Sequence, residues 1–129
     1  MLDIHPDQME ILSREAERAN LVFLRQWIER DRPHLRPALE AGELGEAMLG
    51  SLRLGRELGV ESVEAVGALL ELWMAVGPGF EREPPIAKLL EDEAFPPDAR
   101  PRRVLSLRSP GEWAEFVRAS SDPEQEEPR

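Results

Sequence analysis

The chain has 129 residues, enough for one compact domain and too few for two of ordinary size. Its 16 basic and 26 acidic residues leave a net charge of −10, which argues against unaided binding to nucleic acid or to an anionic membrane. The absence of cysteine excludes disulfides, thiol catalysis and Cys-ligated metal centres, and two histidines, His5 and His34, are too few for a histidine-rich metal site. We therefore expect neither a cofactor nor a metal.

No targeting or membrane-spanning signal is visible in the sequence. Residues 1–8 carry two aspartates and lack the basic start of a signal peptide. The longest apolar stretch, residues 66–76, is short and is interrupted by Glu71, so we expect no membrane span. These patterns predict a cytoplasmic protein, and the excess of arginine over a single lysine is typical of a GC-rich bacterial genome.

The first predicted helix, residues 7–30, is long and amphipathic. Its apolar residues recur at spacings of three and four and give it one apolar stripe: Met9, Leu12, Ala16, Ala19, Phe23 and Trp27. Pro33 stops this helix, and residues 35–41 form at most a short helical piece that ends at Gly42.

Two helices of similar length come next. The first, residues 43–58, is followed by Gly59, which accepts the left-handed conformation that ends many helices. The second, residues 63–76, has Ser62 as its N-cap and is the most apolar helix of the chain. We therefore expect residues 63–76 to lie at the centre of the core.

The rest of the chain predicts shorter helices at residues 85–93, 98–105 and 110–119. Residues 120–129 contain no apolar side chain and are expected to be a disordered acidic tail. No segment alternates with the period of a strand. The sequence thus predicts an all-α fold, a single compact bundle of about five to six helices over residues 1–119.

Aromatic residues are the first candidates for contact with a partner. Trp113 and Phe116 lie on one face of the last predicted helix, where they either cover the bundle or form a partner-binding face. Phe80 is a third candidate, although residues 77–82, GPGFER, are better explained as a helix stop with Phe80 folded back onto the core. The same six residues lack the Lys-Ser/Thr pair of a phosphate-binding loop.

A run of carboxylates, Glu91, Asp92 and Glu93, is the second candidate. It suits either a basic partner or a solvated helix end, and it lacks the ligand spacing of a calcium loop. The sequence therefore offers these acidic residues as a partner-binding site and not as a metal site.

Two further functions stay open. Four arginines form the one basic stretch and could contact nucleic acid, the acidic tail or an acidic partner protein: Arg100, Arg102, Arg103 and Arg108. A small enzyme with a carboxylate-based or partner-completed site would need paired acids with perturbed pKa values. No catalytic motif identifies a reaction, and the stretch around Ser51, GSLRLG, is not a nucleophile elbow.

Residues 59–103 carry a family resemblance. The matching residues are Gly59 to Ser62, Val66, Glu71 to Trp73, Gly77 to Phe80 and Pro84 to Leu90, with Asp92, Pro97 and Arg100. This pattern resembles small helical proteins encoded beside type VI secretion and related contractile-injection genes. It departs from them at Gly79, Pro85 and Glu61, where those proteins have an acidic residue, a tryptophan and a hydroxyl residue.

The resemblance implies an accessory role as an adaptor, a cargo chaperone or an immunity-type binder, and it assigns no catalytic residue. The leading prediction is a non-enzymatic protein that binds another protein, such as a basic effector or a secretion component. An acidic surface suits a basic partner and speeds the encounter with it. The sequence leaves a homo-oligomer open.

Overall fold

The computed structural model describes the backbone of residues 6–121 and the side chains of residues 17–120. Over that backbone the chain forms seven α-helices, two short 3₁₀ turns and no strand. The helices are α1 (Pro6–Asp31), α2 (Arg36–Glu40), α3 (Gly45–Leu58), α4 (Val63–Val76), α5 (Pro84–Leu90), α6 (Ala99–Leu107) and α7 (Pro110–Ser121).

The all-α prediction and the compact bundle are confirmed, with a helix count slightly above the predicted five to six. One reason is that residues 36–40 fold as a separate helix, α2, with Pro37 in its first turn, a position that suits proline. The last helix continues to Ser121, and the rest of the expected tail lies outside the described residues. None of the described helices is both long enough and apolar enough to cross a membrane.

Helix α4 lies at the centre of the bundle, as predicted. It packs against α1, α3, α6 and α7 and buries seven of its 14 residues. Ser62 is its N-cap, because the hydroxyl accepts a hydrogen bond from the backbone N–H of Ala65 at 3.2 Å. Asp98 adds a second cap, since its Oδ1 accepts the N–H groups of Glu61 at 2.7 Å and Ser62 at 3.2 Å.

Two groups of buried side chains form the core on either side of α4. One joins α1 and α3 to the first half of α4 and contains Leu24, Trp27, Ile28, Leu44, Met48 and Leu70. The other joins α4 to the later helices and contains Leu69, Leu72, Phe80, Ile86, Val104 and Trp113.

The face that α1 buries differs from the stripe predicted for it. Trp27 is buried as expected, but its buried neighbours are Leu24 and Ile28. Ala19 is exposed and Phe23 is 60% exposed. Met9, Leu12 and Ala16 lie outside the residues whose side chains are described. Consecutive helical residues are about 100° apart, so the exposed row that includes Phe23 is distinct from the buried row that includes Leu24.

Candidate partner-binding site

An apolar groove lies between α1 and the turn that leads from α2 into α3. It has a volume of about 310 Å³ and is lined by Leu21, Val22, Arg25, Leu39, Gly42, Leu44, Gly45 and Met48. We call it the Val22 groove. Leu39, Leu44 and Met48 are buried at its floor, whereas Val22 is 57% exposed at its edge. This is the concave, mostly apolar shape that binds an inserted side chain.

Two glycines keep the edge of the Val22 groove open. Gly42 has a φ of +77° and follows α2, with backbone bonds from Gly42 to Leu39 and from Glu43 to Ala38 closing the turn. Gly45 is the first residue of α3. A Cβ at either glycine would meet no atom within 4 Å, so a partner's backbone can approach closely there.

The same edge carries negative charge. Glu40, Glu43 and Glu46 are exposed around the two glycines. Glu40 lies 3.8 Å from Arg36, but neither Glu43 nor Glu46 forms an ion pair with a described residue. Among the described residues, the charged one that lines the groove itself is Arg25, which lies 3.5 Å from Glu29 of the same helix. The Val22 groove therefore combines an apolar floor with an acidic rim on the side of Gly42 and Gly45, which is complementary to an apolar side chain flanked by basic residues.

A second and larger groove lies on the other side of α1, beside Phe23. Its volume is about 480 Å³, and it is lined by Asn20, Phe23, Leu24, Leu52, Arg56, Val60, Glu61, Ser62, Val63 and Val66. Its charged lining consists of Arg56 and Glu61, one residue of each sign.

An ion-pair cluster ties α1 to α3 beside this larger groove. Arg53 Nε and Arg56 donate to Glu17 Oε2 at 3.1 Å and 3.2 Å, and the Glu17 side chain is 14% exposed. The hydrogen bond from Arg53 is the main reason that the pKa of Glu17 lies below its ordinary value, and the same contact raises the pKa of Arg53. This carboxylate is therefore an acceptor in a helix–helix contact.

Two of the three aromatic candidates lie in the core. Phe80 is buried, and buried Trp113 donates from its indole nitrogen to the carbonyl oxygen of Val104 at 2.8 Å. Phe116 is half-buried, edge-on to Trp113, and the guanidinium of Arg108 lies 4.1 Å from its ring centre. Phe80 and Trp113 thus contribute to core packing, and neither side chain is exposed for contact with a partner.

The acidic candidates follow α5 instead of ending it. The helix ends at Leu90 and not at Glu93 as predicted. Carboxylates are unfavourable at the negative end of a helix. In addition, Asp92 Oδ1 accepts the N–H of Ala94 at 3.0 Å, which forms a turn in place of a further helical turn. Asp92 also accepts a hydrogen bond from Arg103 at 2.8 Å. Of the three carboxylates, Glu91 and Glu93 are the exposed ones.

Two of the four arginines of the basic stretch make contacts within the protein. Arg103 binds Asp92 and lies 4.2 Å from the ring centre of Phe95, while Arg100 donates to the carbonyl oxygen of Phe95 at 2.8 Å. Arg102 and Arg108 are exposed. Two of the four arginines, Arg100 and Arg103, are therefore engaged in contacts within the protein.

Sequence reasoning missed a helix cap that positions α7. Ser109 Oγ accepts the N–H of Glu112 at 3.2 Å, and Glu112 Oε1 accepts the N–H of Ser109 at 2.8 Å. This backbone hydrogen bond is the main reason that the pKa of Glu112 lies below its ordinary value. The signal was present in the sequence as Ser-Pro-Gly-Glu, a capping box that holds the helix of Trp113 in place.

The residues that carry the family resemblance shape the ends of α3 and α4. Gly59 has a φ of +78° and Ser62 caps α4, as the sequence predicts. Gly77 and Gly79, which follow α4, also have positive φ and lead the chain back to buried Phe80. Local backbone structure therefore accounts for the presence of these glycines and of Ser62.

Within the part of the chain that the structure describes, no group of three or more His, Cys, Asp or Glu side chains is placed to hold a metal ion. No family model, curated protein or solved structure matches the chain.

Proposed function

We propose that this protein is a non-enzymatic accessory protein that binds another protein in its Val22 groove. The observation that carries this proposal is the pairing of an open apolar groove with two exposed carboxylates, Glu43 and Glu46, on the same edge. Exposed apolar surface with a charged rim is the usual anatomy of a binding surface between proteins.

The chemistry of the groove defines the partner. An aliphatic or aromatic side chain fits against the floor of Leu39, Leu44 and Met48, and lysine or arginine beside it pairs with the acidic rim. The net charge of −10 attracts a basic protein over a longer range and raises the rate of encounter. We therefore expect a basic partner whose contact segment carries at least one apolar anchor.

The resemblance of residues 59–103 to proteins encoded beside type VI secretion genes supports a place in a bacterial secretion or effector module. In that setting the partner is a basic effector or a secretion component in the cytoplasm. Binding would hold the partner for loading or mask its basic surface, as expected of an adaptor, a cargo chaperone or an immunity-type binder.

Capture from a lysate of the native host tests this proposal, with matched charge-reversal variants. One tagged variant carries Glu43→Lys and Glu46→Lys, and its control carries Glu91→Lys and Glu93→Lys, which make the same change in charge at the sequence-predicted acidic run. We expect mass spectrometry to find a basic protein that the wild type and the control capture and the groove variant loses. Loss in the control with retention in the groove variant would contradict the proposal, as would retention in both.

A further inference from the structure

Residues 36–43 contain α2 and the turn that follows it, and they form one side of the Val22 groove. We call this segment the Leu39 strap. Leu39 is its one buried residue and Ala38 is half-buried, whereas the other six residues are exposed. The strap therefore rests on the protein through a single large side chain, and that side chain is part of the groove floor.

The polar contacts of the strap are internal to it. Three backbone hydrogen bonds of 2.9 to 3.1 Å close its turn, with the N–H groups of Ala41, Gly42 and Glu43 as donors and strap carbonyls as acceptors. The one ion pair that the strap makes in the described part of the chain joins Arg36 to Glu40. None of these contacts reaches α1 or α3.

Both ends of the strap are held more firmly. Before it, Arg32 donates from Nε to Glu71 Oε1 of α4 at 3.2 Å, and its guanidinium lies 4.8 Å from the ring centre of Trp27. After it, Leu44 is fully buried at the start of α3. Gly42 has a positive φ within the turn, where glycine is the residue that moves most freely. Movement is therefore confined to the strap.

These features predict a low free energy for local opening. Segments that bury few apolar side chains and expose their backbone hydrogen bonds open before the rest of a protein unfolds. A helix of five residues is not stable without packing, so α2 unfolds when Leu39 leaves the floor. By contrast, α4 buries seven of its 14 residues at the centre of the bundle.

We propose that the Leu39 strap opens as a local unit and that the partner's apolar anchor takes the place of Leu39. This inference rests on the proposed function, because the occupant is the partner of the Val22 groove. Opening deepens the groove and leaves Leu44 and Met48 as its floor. A partner that binds the open state shifts the population toward it, and the closed state lowers the apparent affinity.

Native-state hydrogen exchange of the full chain tests the opening. After correction for intrinsic rates, the amides of Ala41, Gly42 and Glu43 should exchange roughly a hundredfold faster than the slowest amides of α4. Leu90→Ala gives the sharper comparison, because Leu90 is buried in α5 and packs in the other core group. It should accelerate the slowest α4 amides by about tenfold or more and leave the strap amides at their wild-type rates.

Strap amides as slow as those of α4 would overturn the proposal, as would equal acceleration of both sets by Leu90→Ala. If Leu90→Ala does not fold, low concentrations of urea on the wild-type protein replace it. Urea promotes each opening in proportion to the surface that the opening exposes, so the α4 amides should accelerate and the strap amides should respond weakly. An equal response to urea would also overturn the proposal.

Leu39→Ala tests the displacement of Leu39. It should raise capture of the groove partner from host lysate by about threefold or more, because the open state becomes more populated. Pro37→Gly favours the open state without changing the floor and should act in the same direction, which keeps the test valid if Leu39→Ala does not fold. Lower capture by both variants would overturn the displacement. Hydrogen exchange needs no partner, so the opening of the strap and the proposed function can fail independently.

Discussion

Gly67 of α4 lies directly beneath the indole ring of Trp27 of α1, so closely that a Cβ at position 67 would clash with the ring. Gly50 of α3 lies in the same way beneath Trp73 of α4. These two contacts set how closely α1, α3 and α4 approach one another, because interiors are close-packed and a buried ring cannot shift without disturbing its neighbours. The wall of the Val22 groove formed by α1 depends on that packing.

Gly67→Ala should therefore destabilise the protein. Overpacking a filled core costs about 1–3 kcal/mol, although alanine favours a helix over glycine by about 1 kcal/mol. Because the new Cβ would overlap the Trp27 ring, the overpacking cost should lie near the top of that range, and we expect a net loss of about 2 kcal/mol in the free energy of unfolding, measured by urea denaturation. Gly111→Ala is the control, because a Cβ at Gly111 in α7 would meet no atom within 4 Å. A Gly67→Ala protein as stable as the wild type would contradict the close contact.

Ser51 is buried in α3, and its hydroxyl has no hydrogen-bond partner in the structure. Burial of an unpaired hydroxyl is unfavourable, and alanine is the better helix former. We therefore expect Ser51→Ala to raise the free energy of unfolding by about 1 kcal/mol. Ser62→Ala, which removes the N-cap of α4, should lower it by about 1 kcal/mol in the same assay. A clear loss of stability on Ser51→Ala would show that the hydroxyl has a partner.

The contact of Glu17 with Arg53 and Arg56 predicts a pH dependence of stability. The pKa of Glu17 in the folded protein lies below the unfolded value of about 4.3, so the folded state binds fewer protons at this group. Its stabilising contribution is present above the unfolded pKa and is lost as the pH falls through the folded pKa. Glu17→Gln should thus lower the urea midpoint at pH 7 and have a smaller effect in strong acid. An effect that is equal at both pH values would contradict this role.

Filling the Val22 groove should block the partner without disturbing the fold. Gly45→Leu places a side chain in open space at the first residue of α3, where no atom lies within 4 Å of the new Cβ. Capture of the partner should fall by about tenfold or more, since steric exclusion acts on the core of the contact. Gly111→Leu adds the same side chain near the start of α7 and should capture the partner as the wild type does. Equal capture by both variants would place the partner elsewhere.

Local features of the fold were predictable from sequence because they depend on neighbouring residues. Gly59 as a left-handed helix end, Ser62 as a cap and the stop at residues 77–80 were read correctly for that reason. The end of α5 was misplaced by three residues, because the turn at Asp92 competes with the helix in a way that depends on Arg103 of α6.

The candidate site was less predictable, because it depends on which elements meet. The apolar periodicity of α1 fits both a buried and an exposed face, so the sequence placed Phe23 on one stripe with Trp27, whereas the structure buries Trp27 and leaves Phe23 exposed. For Trp113 on α7 the sequence left both positions open, and the structure buries it in the core, where its indole donates to the carbonyl oxygen of Val104. The Val22 groove combines residues from α1, α2 and α3, and no local pattern brings Val22 to Gly45.

Photo-crosslinking at position 22 tests the central claim most directly, because it reports what lies in the Val22 groove. A tagged chain with a photoreactive phenylalanine analogue in place of Val22 is irradiated in lysate of the native host. A chain with the same analogue in place of Leu107 is the control, because Leu107 is 56% exposed and lies far along the chain in α6. The account predicts a covalent adduct with a basic protein from position 22 and not from position 107. No adduct from position 22, or the same adducts from both positions, would contradict it.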